Sequence, residues 1–213
     1  MFVLANMPLS PLDPKAALVL IDLQRGIVLP PSVPYSGLEV VARCRELAAA
    51  FRAAHLPVVL VNVSFSPDFA DLPKGRDEES LAEKAEEEGD AELPPPGYDA
   101  IVDEFDAQPT DLRATKHQWG AFHGTDLDTQ LRRRGVTQIV LAGITTSRGV
   151  DTTGREAFAH NYSVAYVVDA MADRDLVDHD HVIARVFPQI GERTTAAEVI
   201  GQLTARADGK GGD

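Results

Sequence analysis

The 213-residue chain holds one cysteine, Cys44, one tryptophan, and aromatic residues at only 6%. A lone thiol excludes an intramolecular disulfide and any cysteine-rich zinc site. No apolar run reaches the roughly 18–20 residues that cross a bilayer as a helix. Met1–Ser10 lacks the basic, apolar and small-residue regions of a secretory signal. Positive charge is scarce too: 20 Lys and Arg stand against 33 Asp and Glu, a formal net charge of −13. The deficit is local, because 15 acidic and 3 basic residues fall between Asp68 and Asp106. The remainder is close to neutral and carries no basic stripe. Nucleic acid and an anionic membrane surface are therefore excluded as partners, and a cytoplasmic protein is expected.

Hydrophobic residues make up 44% of the chain, enough for a sizeable core, and the length suits one α/β domain over 1–213. Ala17–Asp22 (ALVLID), Pro57–Val63 (PVVLVNV), Val136–Gly143 (VTQIVLAG) and Ser163–Asp169 (SVAYVVD) are short, continuous apolar runs. Such runs, as opposed to alternating ones, predict strands buried on both faces. Helical spacing covers Glu39–Ala54, where Val40, Val41, Cys44, Leu47, Ala48 and Phe51 form one face. Further helices are predicted over Asp126–Arg134, capped by Gly135, and over Arg148–Asn161, Asp173–Phe187 and Ala196–Ala207. Strands alternating with helices imply a mostly parallel sheet with right-handed crossovers. The interruption is an acidic excursion at about 66–110, holding EESLAEKAEEE and Pro94–Pro96. It reads either as a solvated, in part helical insertion or as a lid. The Gly-rich tail from about 208 is expected to fray.

In an open parallel sheet, ligands bind beyond the carboxyl ends of the strands. Asp22 ends the first strand, Asn62 and Ser64 the second. Gly143–Gly149 lead from a strand into a helix, where backbone N–H groups can face an anion. Lys116 lies in ATKHQWGAFHGTDL, ahead of a helix. A carboxylate, an ammonium and a helix start would then meet in one crevice. His179-Asp180-His181 is not a metal site, since positions i and i+2 of a helix point apart. Asp173, Asp175, Asp178 and Asp180 are expected as helix-start or solvated charges. His117 and His123 either wall the crevice or pack structurally.

Three segments, LVLIDLQRGIV, TKHQWGAFHGTDLDTQLRRRGVTQIVLAGITTSRGVDTTGREAF and YVVDAMAD, carry a resemblance to the isochorismatase-like hydrolase superfamily from about Ala16 to Val199. It implies a three-layer α/β/α, Rossmann-like fold with a mostly parallel sheet of about six strands, a small-molecule substrate and a homo-oligomer. Most members use an Asp, a Lys and a nucleophilic Cys. Asp22 and Lys116 match the first two, and Gly149 stands at the Cys position. The metal pattern Asp-x-His is also missing from NVSFSPDF, so no metal or cofactor is expected. Isochorismatases proper share the Gly and cleave a vinyl ether, which needs a proton donor but no covalent nucleophile. The resemblance thus implies a hydrolase acting on a small carboxylated metabolite, with Asp22, Lys116 and Gly149 at the catalytic centre. Gln24, Trp119, Phe122, Thr145 and Arg148 are the expected substrate contacts, although Trp119 and Phe122 could instead anchor their loop, and Arg148 could serve a surface or subunit contact. It further implies a cis peptide at Ile144–Thr145. The other reading is a catalytically silent member that binds a metabolite or assembles with partners.

Cys44 sits on the apolar face of its helix. Iodoacetamide treatment and Cys44→Ala are expected to leave turnover nearly intact; complete inactivation of a still-folded protein by either would reject a thiol-independent reaction.

Overall fold

A computed structural model of the chain describes residues 9–66, 70–71 and 96–209. Six strands form one sheet: β1 Ala16–Ile21, β2 Val58–Val63, β3 Leu112–Lys116, β4 Gln138–Ile144, β5 Ser163–Ala172 and β6 Glu192–Thr194. Their order is β3-β2-β1-β4-β5-β6, and every pairing is parallel. The helices are α1 Arg25–Val28, α2 Gly37–Ala53, α3 Leu127–Arg133, α4 Asp151–Ala159, α5 Leu176–His181, α6 Phe187–Ile190 and α7 Ala196–Gly209. The strand order reverses between β1 and β4. Helices leave those two strands toward opposite faces there, and in open α/β sheets ligands bind in the crevice beyond the carboxyl ends at such a point.

The apolar runs explain the layers. Every residue of β1 and β4 is buried. Alternate side chains feed two cores. Leu18 and Leu20 join Leu47 and Phe51 of α2 and Leu203 of α7. Val19 and Ile21 join Leu131 of α3, Ala157 of α4 and Phe187 of α6. Cys44 is fully buried in the first core, as its place in the helical pattern predicts. Helix α2 starts at a reciprocal capping box, in which Ser36 accepts from the Glu39 N–H and Glu39 accepts from that of Ser36. Gly135 takes the left-handed conformation expected of a cap after α3.

Several expectations shift. β3 was not foreseen: its burial alternates, with Arg113 and Thr115 exposed, as suits an edge strand. This makes Lys116 the last residue of a strand that the apolar runs do not mark. β6 is only three residues long. The helix expected over Arg148–Asn161 begins earlier, as a π-helical turn at Thr146–Val150 that runs into α4. The one expected over Asp173–Phe187 is divided into α5, a second π turn at Val182–Val186, and α6. α7 extends to Gly209, past the point where fraying was expected; residues 210–213 lie outside the described residues. So does the EESLAEKAEEE segment, and with it the question of insertion or lid.

Gly143 carries a close backbone approach between the ends of β4 and β1. Its φ is +125°, and a Cβ there would lie 2.2 Å from the Ile21 carbonyl oxygen. β4 can therefore run against the end of β1 only with glycine at this position. Gly143→Ala should lower the stability of the fold by roughly 3 kcal/mol or more through backbone strain and overpacking, measurable by chemical denaturation.

Candidate active site

β1 delivers Asp22 to the crevice. The residue leaves the strand with φ of +53°, its N–H still bonded to the Val61 carbonyl, and its side chain is buried. Lys116 arrives from β3, two strands away, and its long side chain crosses the end of β2. Its Nζ donates to Asp22 Oδ2 at 2.8 Å and to the Gln118 carbonyl at 3.1 Å. The lysine side chain is 2% exposed and the aspartate 6%. Oδ1 of Asp22 is buried without a hydrogen-bond partner among the described residues. Burial pushes the Asp22 carboxyl up to about 6, against the opposing pull of the Lys116 charge and hydrogen bond. Desolvation therefore outweighs the ion pair, and the acid form is accessible near neutral pH.

β4 supplies the other wall. After the cis peptide Ile144–Thr145, the chain enters the Thr146–Val150 π turn, closed by the Val150 N–H on the Thr145 carbonyl at 3.0 Å. Thr145 is half-buried and Gly149 buried. A Cβ on Gly149 would sit 3.2 Å from Asp22 Oδ2 and 2.9 Å from Ile21 Cγ2. Gly149, Asp22 and Lys116, which are distant in sequence, thus share one small space. π turns inside helices are frequent at functional sites.

Residues after β5 clamp this turn. Asp173, expected as a helix-start or solvated charge, is buried, and its Oδ2 accepts from the Ser147 N–H at 2.6 Å. Thr146 Oγ1 donates to the Ala172 carbonyl at 3.1 Å and lies 2.8 Å from His179 Nδ1. A hydroxyl has one proton. With it on Ala172, His179 Nδ1 is the donor, and burial holds the imidazole below its usual range, in the neutral form. The signal for His179 was its position three and four residues ahead of the buried Val182 and Ile183. Asp175 does cap its helix, accepting from the Val177 N–H at 2.6 Å.

The other expected contacts separate. Gln24 is fully buried, and its amide is engaged by backbone: Nε2 donates to Val63 O and Tyr98 O, and Oε1 accepts from the Val63 N–H. Both amide protons are occupied, so Gln24 ties loops together and offers no donor to a substrate. Phe122 is packed away in the second core, stacked on His160 at 5.0 Å and tilted against Tyr162; it anchors the loop. Trp119 is 58% exposed, with the Arg148 guanidinium 5.5 Å from its ring. His117 is exposed, its Nδ1 2.6 Å from the Ser64 carbonyl and 3.1 Å from Asp71. His123 is exposed as well.

A doubly wound α/β enzyme with a buried acid–ammonium pair at its switch point is the class that this fold and site define. Residues 16–198 match the isochorismatase domain family. The uncharacterized isochorismatase family protein YwoC of Bacillus subtilis is 41% identical over 189 residues, covering 89% of this chain and 94% of its own. The solved structure of an isochorismatase family protein from Burkholderia thailandensis is 45% identical with a TM-score of 0.81, covering 91% of this chain and 97% of that one. The ureidoacrylate amidohydrolase RutB of Methylobacterium radiotolerans is 30% identical over 175 residues, covering 75% of this chain and 68% of its own. The chain belongs to the isochorismatase family of hydrolases. No helix among its described residues is long and apolar enough to cross a membrane.

Thr146→Val keeps the volume of the side chain but orphans the buried His179 N–H. It should cost about 1–3 kcal/mol, seen as a lower midpoint in thermal unfolding, whereas the exposed Thr129→Val should cost almost nothing.

Proposed function

We propose that the protein hydrolyses a small, carboxylated molecule without a covalent enzyme intermediate, with Asp22 as proton donor and Lys116 as its electrostatic partner. The observation that carries this reading is the Asp22 carboxyl itself: buried, raised to about 6, one oxygen held by Lys116 and the other without a partner among the described residues. Beside it, the position that holds a cysteine in most family members is Gly149. No thiol can replace it, because Cys44 is buried in α2, where desolvation holds its thiol far above the ordinary range.

A vinyl ether is a bond that such a site can cleave. The Asp22 proton passes to the terminal methylene carbon, the C=C electrons form the new C–H bond, and an oxocarbenium ion remains. Water adds to that carbon, and its proton returns to the Asp22 carboxylate. The hemiketal then collapses to a ketone and an alcohol. Throughout, Lys116 opposes the negative charge that appears on Asp22 when its proton leaves, and it can donate to a substrate oxygen. RutB is by name an amidohydrolase, and amides belong in the substrate screen beside isochorismate and simpler vinyl ethers. Exposed Phe158, Leu176 and Val177 support assembly with a second copy of the chain.

The test is the pH profile. A donor raised to about 6 is protonated below that value and loses its proton above it. Turnover should therefore be flat at low pH and fall about tenfold per unit above pH 6 or so. Asp22→Asn should reduce it by about 10²–10⁴ with the fold intact. A rate that rises through this window would make Asp22 a base and reject the acid role.

A further inference from the structure

Thr153 and Glu156 were not among the expected site residues. Both stand on α4, the helix into which the Gly149 turn leads. With His160, the residue that ends the helix, they recur at spacings of three and four, along one face. That face meets the loop that follows Lys116. Thr153 is fully buried; its Oγ1 donates to the Gly149 carbonyl at 2.6 Å and accepts from the Ala121 N–H at 3.2 Å. A hydroxyl has one proton, so the bond back to Gly149 leaves this oxygen to serve the loop as an acceptor. Further along, Glu156 Oε2 accepts from the Phe122 N–H at 2.9 Å. A Cβ on Gly120 would lie 2.3 Å from Glu156 Oε1, so the loop backbone passes directly against this carboxylate. The Phe122 ring then stacks on His160.

The same loop holds Lys116. One proton of its Nζ goes to Asp22 Oδ2 and another to the Gln118 carbonyl. Gln118 is in turn drawn into the loop: its Nε2 donates to the Gly120 carbonyl at 2.9 Å and to that of His123 at 2.7 Å. From Gly149 the bonds thus run through Thr153 to Ala121, and along a short stretch of backbone to the carbonyl that shares the ammonium with Asp22. One helix face fixes both the wall of the site and the direction of its cation.

We propose that Thr153 and Glu156 are positioning residues for the Asp22–Lys116 pair: by fixing the loop backbone against α4 they keep the Gln118 carbonyl on Lys116 Nζ, and so hold the ammonium at Asp22 Oδ2. The catalytic meaning of this rests on the proposed function, to which it adds control of the acid from the Lys116 flank. The charge that acts on Asp22 is that of Lys116. A buried ammonium that loses one of its two acceptors is less well held there, and Asp22 then feels less positive charge.

The test reads the proton affinity of Asp22 directly, with no substrate present. The full chain is labelled with carbon-13 at its aspartate side-chain carboxyls and titrated by NMR, the Asp22 signal being the one that Asp22→Asn removes. Wild type should titrate near pH 6. Thr153→Val alters no charge, so it can act on Asp22 only by moving other groups. It should raise the midpoint by about 0.5–1 pH unit, part of the roughly 1–3 by which a neighbouring cation lowers a carboxyl. Thr153→Ser keeps the hydroxyl and should titrate like wild type. Glu156→Ala gives an independent reading if Thr153→Val folds poorly. Loss of its negative charge alone would lower the midpoint, whereas release of the loop raises it; Glu156→Gln keeps an acceptor and should not raise it. Midpoints in Thr153→Val and Glu156→Ala at or below that of wild type overturn the proposal. Asp22→Asn separates the two readings. If its turnover survives while both midpoints rise, the acid role fails and the positioning stands. If its turnover is lost and neither midpoint rises, only the positioning role fails.

Discussion

The structure turns on one buried ion pair. Lys116 and Asp22 come from strands separated by β2, and each is removed from water in order to meet the other. Taking two charges out of solvent costs several kcal/mol apiece, and a single hydrogen bond restores part of that. The remainder is visible as the raised proton affinity of Asp22. A pair of this kind adds little to folding, and it leaves Asp22 with a proton affinity well above that of an ordinary carboxyl, beside a fixed positive charge.

Much of the rest keeps that pair in place. The parallel order sets β1 and β4 side by side where the winding reverses, so the ends of both strands face one crevice. Gly143 lets the backbones approach, and Asp173, Thr146 and His179 hold the turn that follows. These three make no contact with the Asp22–Lys116 pair in any bond described; they fix the backbone that walls it. Positioning is thus supplied from β5 and α5, on the opposite flank from Lys116.

The central architecture was legible in the sequence because it is written in continuous apolar runs. β1, β2, β4 and β5 and the face of α2 are all of this type, and Asp22 was legible as a strand end. β3 was not, since an edge strand alternates, and LRATK is short and half polar. β6 is shorter still. The division of helices by π turns leaves no periodic mark that a 3.6-residue pattern would show. Gln24 and Phe122 illustrate a different limit. Both lie in segments that also carry Asp22 or Lys116, but the direction of each side chain is decided by what lies across from it: the end of β2 for Gln24, His160 and Tyr162 for Phe122.

The crowding at Gly149 bears on which residues the fold can hold at that position. A side chain there meets the Asp22 carboxylate at one side and a methyl branch of Ile21 at the other. That methyl is attached at the β-carbon of a fully buried strand residue, and cannot swing away as the tip of a longer chain could. A larger residue at position 149 therefore needs room made at position 21 as well, since Ile21 and Asp22 bound that space together.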